Sequence, residues 1–222
     1  MIIKNLPITE TKGTMAPPYF LSLYRSKPTA VSGMTKDQLR KAYKERRSAL
    51  SSAERQKMED LILIQFQQLD IEIPSSIMTY APFEKMNEFD PQLITDYCYF
   101  KNPRQQLFYP VCGKDDNRMH CLLVNDETLF EKNRFGIPEP VSGLETVPDE
   151  LDMILIPLLA YDVKGHRVGY GKGFYDRFLR QCRDDVIKIG FSFFEPETGI
   201  PEVGKHDVRL DYCINTDRIY SF

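Results

Sequence analysis

Short apolar runs separated by helical and turn segments constrain the fold of this chain more than any other feature of its sequence. Five runs have the length and composition of buried strands. They span residues 76–80, 106–111, 121–124, 153–159 and 187–193. Strands that alternate with helices usually build a mostly parallel sheet with helices on both faces. The sequence therefore predicts an α/β fold, a three-layer sandwich with a mostly parallel sheet.

Two capping boxes mark helix starts ahead of the first predicted strand. In a capping box a Ser or Thr hydroxyl and a Gln or Glu side chain three residues later satisfy N–H groups of the first turn. One box is Thr35 with Gln38, and the other is Ser51 with Glu54. Apolar spacing predicts the buried faces as Leu39, Tyr43 and Leu50 on the first helix, and Met58, Leu61, Ile62, Phe66 and Leu69 on the second. Together they predict an N-terminal helical hairpin.

Length and composition favour one domain preceded by a tail. The chain has 222 residues, 27% of them charged, and a formal net charge of -3. Residues 1–33 contain several prolines and no sustained period, which predicts a flexible N-terminal extension, and residues 34–222 form the single predicted domain. Met34 is an alternative natural start. Because Lys and Arg are spread among carboxylates, we expect no nucleic-acid partner. We also expect a monomer.

Cysteine and histidine usage predicts neither disulfides nor a transition-metal site. The five cysteines are scattered without a Cys-x-x-Cys pair, and the three histidines lie far apart. The sequence contains neither a secretory signal nor an apolar stretch long enough to span a bilayer. We therefore expect a cytoplasmic protein with reduced thiols and no membrane partner.

Residues 165–177, with the sequence GHRVGYGKGFYDR, follow an apolar run and precede a predicted helix. They contain three alternating glycines, Gly169, Gly171 and Gly173. Glycines let backbone N–H groups approach an anion closely, the helix offers its N-terminus, and Arg167 and Lys172 add positive charge. Asp176 adds a hard oxygen ligand for magnesium. This glycine segment is predicted to bind phosphate.

The spacing excludes the two commoner phosphate loops. A Walker loop needs four residues between its glycines and a Ser or Thr after its Lys, whereas five residues separate Gly165 from Gly171, and Gly173 follows Lys172. A dinucleotide fingerprint needs Gly or Ala where this chain has Phe174. A glycine-rich turn without a ligand is the remaining alternative.

Three further segments carry residues suited to a phosphorylated substrate, each with an ordinary alternative. Lys36 and Arg40 lie one helical turn apart and suit separate phosphate oxygens, although in isolation a solvated helix face is the better explanation. Phe83 and Glu88 follow the 76–80 run and suit a flat heterocycle, or belong to an ordinary loop. Asp207 is a second candidate metal ligand, or part of a charged turn.

Taken together, these motifs resemble one family. In chain order they are Lys36-x-x-Leu39-Arg40, Tyr80-x-Pro82-Phe83 with Glu88, Gly136-Ile137-Pro138-Glu139-Pro140, the 157–162 strand end, the glycine segment, and His206-Asp207 with Asp211. The pattern is similar to the 5-formyltetrahydrofolate cyclo-ligases, also called methenyltetrahydrofolate synthetases. The resemblance runs from about Met34 to the C-terminus, and the glycine segment is its most specific part.

The resemblance implies an ATP- and Mg²⁺-dependent closure of 5-formyltetrahydrofolate to 5,10-methenyltetrahydrofolate, with release of ADP and phosphate. In this reaction ATP phosphorylates the formyl oxygen, and N10 of the folate then attacks the activated carbon. Phosphoryl transfer needs mainly positioning and neutralisation of charge. No protein nucleophile is required.

Individual roles follow from the same resemblance. Lys172 and Arg167 are implied to be catalytic, and Asp176 and Asp207 are implied to hold the metal. The implied ATP-binding residues are Lys36, Arg40, Arg167, Val168, Gly169, Tyr170, Gly171, Lys172, Gly173, Phe174 and Tyr175. The implied folate-binding residues are Phe83, Glu88, Tyr170, Gly171, Lys172, Gly173 and Phe174. Phe174 stands where the family usually has Tyr, which removes one hydroxyl but keeps the ring.

The alternative function is a phosphosugar isomerase or a non-catalytic domain that senses a phosphorylated ligand, because similar folds carry out both tasks. Lys36, Arg40 and Lys172, together with a pair of metal-binding acids, favour a triphosphate over a single sugar phosphate.

Overall fold

The helices lie where the capping signals and the apolar spacing place them. The computed structural model describes residues 34–113 and 118–222, so the predicted extension over residues 1–33 lies outside the described residues. The helices of the described part are α1 (Lys36–Ser48), α2 (Ser52–Phe66), α3 (Gln92–Lys101) and α4 (Phe174–Leu179). Among these residues, no helix is long and apolar enough to cross a bilayer.

Both predicted capping boxes are confirmed. The Thr35 hydroxyl accepts from the Gln38 backbone N–H, and the Gln38 side chain accepts from the Thr35 N–H at 2.8 Å. Ser51 and Glu54 make the equivalent pair of bonds at the start of α2. Leu50 is partly buried, but it lies beyond the end of α1 at Ser48, and the buried position of α1 after Tyr43 is occupied by Arg47.

A seven-stranded sheet forms the centre of the protein. The strands of the described residues are β1 (Ser76–Met78), β2 (Gln106–Cys112), β3 (Met119–Val124), β4 (Phe130–Lys132), β5 (Pro138–Pro140), β6 (Met153–Ile156), β7 (Ala160–Tyr161), β8 (Arg167–Val168), β9 (Ile187–Phe191), β10 (Tyr212–Ile214) and β11 (Ile219–Ser221). The sheet order is β11-β10-β9-β6-β1-β2-β3. The inner pairs are parallel, and β3 and β11 are antiparallel edge strands. The predicted mostly parallel sheet is thereby confirmed.

Strand β6 shows how the sheet divides the core into two faces. All four residues of β6 are buried. Met153 and Leu155 pack with α2 and α3, whereas Ile154 and Ile156 pack with α4. Since successive residues of a strand point to opposite faces, β6 contributes to both apolar layers.

Several predicted strands end earlier than their apolar runs. Strand β6 stops at Ile156 because Pro157 has no N–H to donate to the ladder. Strand β1 stops at Met78, and the following residues leave the sheet to form a loop. The glycine segment follows the 153–159 run, as expected. It begins in the turn of the β7–β8 hairpin, contains β8 and continues into α4.

The two N-terminal helices are consecutive, but they pack mainly on different elements rather than on each other as in the predicted helical hairpin. Helix α1 lies against the β7–β8 hairpin, where Leu39 and Tyr43 pack on Leu159, Ala160 and Val168. Helix α2 packs on α3 and β10. This arrangement brings α1 to the edge of the sheet at which the glycine segment begins.

Candidate active site

One cavity lies at the carboxyl ends of three neighbouring parallel strands. It is lined by Tyr80 and Ala81 after β1, by Cys112 at the end of β2 and by Pro157 after β6. Its volume is about 370 Å³, which is in the range of small-molecule sites. Ligands of open α/β sheets bind at this edge, so the geometry agrees with the position that the sequence predicted.

The sequence-predicted site residues converge on this cavity. Those that line it are Lys36, Arg40, Phe83, Glu88, Arg167, Gly169, Tyr170, Gly171, Lys172, Gly173, Phe174, Tyr175, Asp176 and Asp207. Val168 is the exception, since its side chain is buried in the apolar cluster beneath α1. The structure therefore brings together four segments that are up to 171 residues apart in sequence.

One end of the cavity carries a cationic cluster, which we define as Lys36, Arg40, Arg167 and Lys172. Arg40 donates its Nε–H to the Gly169 carbonyl at 3.0 Å, so α1 is tied directly to the glycine segment. Lys36 forms an ion pair with Asp207 at 2.5 Å. Although partial burial raises the pKa of Asp207, Lys36 and the Gly204 N–H hold it below its usual range. The C-terminal segment thus folds back over the site.

Arg167 is the most buried cation of this cluster. Its Nη2 donates to Asp176 Oδ1 at 2.8 Å, and its Nη1 donates to the Val208 carbonyl. The same Asp176 oxygen accepts the Val208 N–H at 3.1 Å. Arg167 therefore joins the start of β8, the first turn of α4 and the C-terminal segment, and it holds Asp176 at the cavity wall.

Two of the three alternating glycines adopt a conformation that favours glycine. Gly171 has φ +90° and Gly173 has φ +67°, in the left-handed region, while Gly169 has no positive φ. Gly173 is the N-cap of α4. This helix has only six residues, so the predicted contribution of its N-terminus is small beside that of the cations. The Lys172 side chain is exposed, and no hydrogen bond or ion pair engages it among the described residues.

A turn that precedes Arg167 is held by the buried carboxylate of Asp162. Asp162 is 1% exposed and accepts the backbone N–H groups of Lys164, His166 and Ile200, each at 2.9 Å. Burial by itself raises the pKa of Asp162, but these donors outweigh burial and bring the pKa below its usual value. The carboxylate fixes the β7–β8 hairpin that delivers Arg167 to the cavity.

We expect Asp162→Asn to lower the thermal midpoint by roughly 5 °C at neutral pH, because one hydrogen bond to a charged acceptor contributes about 2 kcal/mol. A depressed pKa stabilises the fold above the unfolded-state pKa, and this contribution is lost as the pH falls through the folded-state value. The difference from the parent should therefore shrink below about pH 4. Thermal unfolding across pH measures it, with exposed Asp149→Asn as the control. A pH-independent difference would contradict this explanation.

The other end of the cavity is aromatic and contains Glu88. Glu88 is 3% exposed; its Oε1 accepts from the Tyr170 hydroxyl at 2.6 Å, and its Oε2 accepts from the Phe83 N–H at 2.9 Å. The rings of Phe83 and Tyr170 lie 6.2 Å apart. Burial raises the pKa of Glu88, although nearby Arg47 opposes the rise. Both carboxylate oxygens already have protein partners. Glu88 therefore holds Tyr170 and Phe83 in place, in addition to lining the cavity.

Several residues of this wall were not predicted from the sequence. The β4–β5 hairpin contributes Asn133, Phe135 and Ile137. Glu139, within the Gly-Ile-Pro-Glu-Pro motif, accepts from the Cys112 N–H at 3.0 Å and from Asn133 Nδ2 at 2.7 Å, which anchors the hairpin to β2. The motif itself was the only signal for this hairpin, because its strands are three residues long.

Tyr175 carries an unsatisfied hydroxyl at the cavity. This hydroxyl is buried and has no hydrogen-bond partner among the described residues. A buried hydroxyl without a partner is unfavourable unless water or a ligand satisfies it. Tyr175 therefore provides a polar group that a bound molecule can use.

The described residues contain no cluster of three or more potential metal ligands. Asp176 and Asp207 nevertheless both line the cavity, and the protein hydrogen bonds involve Oδ1 of Asp176 and Oδ2 of Asp207. Each carboxylate thus keeps one oxygen without a protein donor among the described residues. Magnesium takes one or two carboxylates in nucleotide sites, with phosphates and waters as its other ligands, so this donor set fits it.

Sequence comparison connects this cavity to known enzymes. The profile of the 5-formyltetrahydrofolate cyclo-ligase family matches residues 32–215. A 5-formyltetrahydrofolate cyclo-ligase of Mycoplasma pneumoniae is 27% identical over 187 residues, which cover 83% of this chain and 100% of that protein. One from Haemophilus influenzae is 40% identical over 70 residues, which cover 30% of this chain and only 37% of the relative.

Structural comparison gives the same result. The NMR structure of an Aquifex aeolicus 5,10-methenyltetrahydrofolate synthetase superimposes with a TM-score of 0.70 and 25% identity, covering 85% of this chain and 93% of that chain. A 5,10-methenyltetrahydrofolate synthetase from Mycoplasma pneumoniae superimposes with a TM-score of 0.64, also at 25% identity, covering 83% and 100%. The structural similarity therefore extends over most of the chain.

Proposed function

Because the chain belongs to the 5-formyltetrahydrofolate cyclo-ligase family, we propose that its cavity converts 5-formyltetrahydrofolate and ATP into 5,10-methenyltetrahydrofolate, ADP and phosphate. One observation carries this proposal. The glycine segment connects a cationic cluster, suited to a triphosphate, with an aromatic and acidic wall, suited to a pterin, within one cavity. A single phosphorylated ligand would not need both ends.

The chemistry follows from the poor leaving ability of a formyl oxygen. Transfer of the γ-phosphoryl group to that oxygen makes the formyl carbon electrophilic. N10 then attacks the carbon and loses its proton, and the carbon–oxygen bond breaks as phosphate leaves with the former formyl oxygen. The product carries the carbon between N5 and N10 as a methenyl bridge, so atoms and charges balance.

The cationic cluster supplies what phosphoryl transfer requires. Charge builds up on the transferred group and on the leaving oxygen, and oriented cations stabilise it. The Lys172 ammonium group is exposed at the cavity and has no hydrogen-bond or ion-pair partner among the described residues, so it is available to the transferred phosphate. Arg167 is held in place by Asp176 and by the Val208 carbonyl, and it provides a second, preorganised positive charge in the same cationic cluster. We assign the catalytic role to these two residues.

The aromatic end orients the folate. Phe83, Tyr170 and Phe174 line the cavity with ring surface against which a pterin can pack. Glu88 provides the acid of this wall. Orientation matters because N10 must lie close to the formyl carbon when that carbon is activated. Folate binding by these residues is part of the proposal.

Magnesium completes the proposed site. Asp176 and Asp207 are the residues that would hold it, through the carboxylate oxygens that accept no hydrogen bond from the described part of the chain. A bound magnesium ion neutralises phosphate charge and orients the triphosphate. The roles of this chain are to place the two carboxylates at the cationic end and to fix Asp176 through Arg167.

We expect Asp176→Asn and Asp207→Asn each to raise the magnesium concentration needed for half-maximal rate, with Asp176→Asn the more severe. The double variant should be little worse than Asp176→Asn, because residues that act on one ion are not additive. Magnesium titration at fixed ATP measures this effect, with exposed Asp184→Asn as a control outside the cavity. An Asp207→Asn curve that overlays the parent curve would remove Asp207 from the metal site.

The overall reaction is tested by mixing the purified chain with MgATP and 5-formyltetrahydrofolate. The methenyl product has its own absorbance, and we expect it to appear with one ADP and one phosphate per product. Omission of ATP or of folate should abolish both signals. If ADP forms at the same rate without folate and no methenyl product appears, the chain is not a cyclo-ligase.

A further inference from the structure

Arg47, on the last turn of α1, carries a positive charge that is buried away from solvent. It is 2% exposed, and its Nη2 donates to the Leu158 carbonyl. Its Nη1 lies 3.2 Å from the Tyr170 hydroxyl and 3.8 Å from Glu88 Oε1. Burial of a guanidinium is strongly unfavourable unless it is paired and hydrogen-bonded. These contacts must therefore offset its desolvation.

Arg47 begins a chain of two hydrogen bonds within the wall of the cavity. The guanidinium donates to the Tyr170 hydroxyl, and the Tyr170 hydroxyl donates in turn to Glu88 at 2.6 Å. Tyr170 belongs to the glycine segment, whereas Glu88 belongs to the loop after β1. Arg47 thus connects both walls of the aromatic end with α1, whose first turns carry Lys36 and Arg40.

A second connection holds the same parts from the opposite side. The Asn87 side chain donates to the Arg47 carbonyl at 2.9 Å and to the Leu50 carbonyl at 3.4 Å. Asn87 has φ +44°, a left-handed conformation that is uncommon outside glycine. The loop that carries Glu88 therefore caps the end of α1, while the Arg47 side chain from α1 reaches back to Glu88. The two elements fix each other.

We infer that Arg47 is a positioning residue for the folate end of the cavity, where it holds the Tyr170 hydroxyl and the Glu88 carboxylate in one arrangement. This inference rests on the proposed function for the identity of the ligand. Arg47 itself is absent from the residues that line the cavity, so it acts through Tyr170 and Glu88. Its loss should weaken the site for folate much more than the site for ATP.

Steady-state kinetics of Arg47→Lys and Arg47→Met test the positioning role. A lysine keeps the charge but cannot contact Leu158, Tyr170 and Glu88 together. We expect both variants to raise KM for 5-formyltetrahydrofolate by about tenfold or more, with KM for ATP changed by less than about twofold. The control Arg55→Met removes a guanidinium that lies 3.7 Å from Glu59 on α2, outside the cavity, and should change neither KM. Equal changes in both KM values, or none, would overturn the inference.

Thermal unfolding tests the coupling without any substrate. Arg47→Met leaves Glu88 buried without its cation, which should lower the midpoint by roughly 10 °C. The double variant Arg47→Met/Glu88→Gln should be more stable than Arg47→Met alone, because no unpaired carboxylate remains. Strictly additive shifts would show that the residues are not coupled and would overturn the inference. If the parent protein shows no turnover, the proposed function is contradicted. The comparison of thermal midpoints would still test whether Arg47 and Glu88 are coupled.

Discussion

Replacing Lys172 by alanine is expected to lower kcat about a hundredfold and to leave the thermal midpoint unchanged. An oriented donor to a charged transition state typically contributes about 3 kcal/mol to the barrier, which is about two orders of magnitude in rate. The Lys172 side chain is exposed and makes no hydrogen bond or ion pair among the described residues, so its truncation removes little packing. Its position between Gly171 and Gly173 places Lys172 within the glycine segment, which lines both ends of the cavity.

The control for this variant is Lys164→Ala. Lys164 is also exposed and lies in the β7–β8 turn, outside the cavity lining. Its removal subtracts the same charge from the protein and should leave kcat within about twofold. A Lys172→Ala enzyme within about threefold of the parent would show that Lys172 is only a solvated loop residue.

Replacing Gly171 by alanine is expected to lower kcat/KM for ATP by tenfold or more. Gly171 has φ +90°, and a non-glycine residue held in such a conformation costs about 1–3 kcal/mol. A Cβ atom at Gly171 would also lie 3.1 Å from Cζ of Arg40 and 3.2 Å from its Nε. Because that same Nε donates to the Gly169 carbonyl, the substitution disturbs the contact that ties α1 to the glycine segment.

Gly169→Ala is the matched control two residues away. Gly169 has no positive φ, and a Cβ atom built there would meet no atom within 4 Å. The Gly169→Ala variant should therefore be as stable as the parent. Any loss of its activity would mean that the added methyl group occupies space that the ligand needs. Steady-state kinetics with ATP varied, at saturating folate, compare the two variants. Equal activity of Gly171→Ala and the parent would show that the loop conformation is unimportant for ATP.

The parts of this protein that follow local rules were predictable from the sequence. Thr35 and Ser51 start helices because their hydroxyls satisfy first-turn N–H groups, which depends only on residues three positions away. The apolar runs became β1, β2, β3, β6 and β9 because each contributes apolar side chains to the core on the faces of the central sheet. The glycine segment was recognisable because alternating glycines around a lysine have few structural explanations, and its motif resembles one family.

The parts that depend on long-range contacts were not predictable. Arg47 follows Arg46 in a basic stretch of α1 and has the sequence signature of a solvated helix end, yet partners at Leu158, Tyr170 and Glu88 bury it. The hairpins β4–β5 and β7–β8 consist of strands of two or three residues, too short for a periodic signal.

The role of Glu88 shows the same limit from another side. Its position in an aromatic loop suggested a free acceptor for the pterin. In the structure, the Phe83 N–H and the Tyr170 hydroxyl occupy its two oxygens, and the second of these donors comes from a segment 82 residues away. A sequence pattern identifies the residue type, whereas the partners that set its chemistry come from the packing of distant segments.

Isotope tracing tests the proposed reaction most directly. The purified chain is incubated with MgATP and 5-formyltetrahydrofolate that carries ¹⁸O in the formyl group, and the released phosphate is analysed by mass spectrometry. Phosphorylation of the formyl oxygen followed by attack of N10 predicts one ¹⁸O atom in each phosphate that accompanies a methenyl product. Phosphate that contains no label, with its new oxygen derived from solvent water, would contradict the account, because ATP would then have been hydrolysed without activating the formyl group.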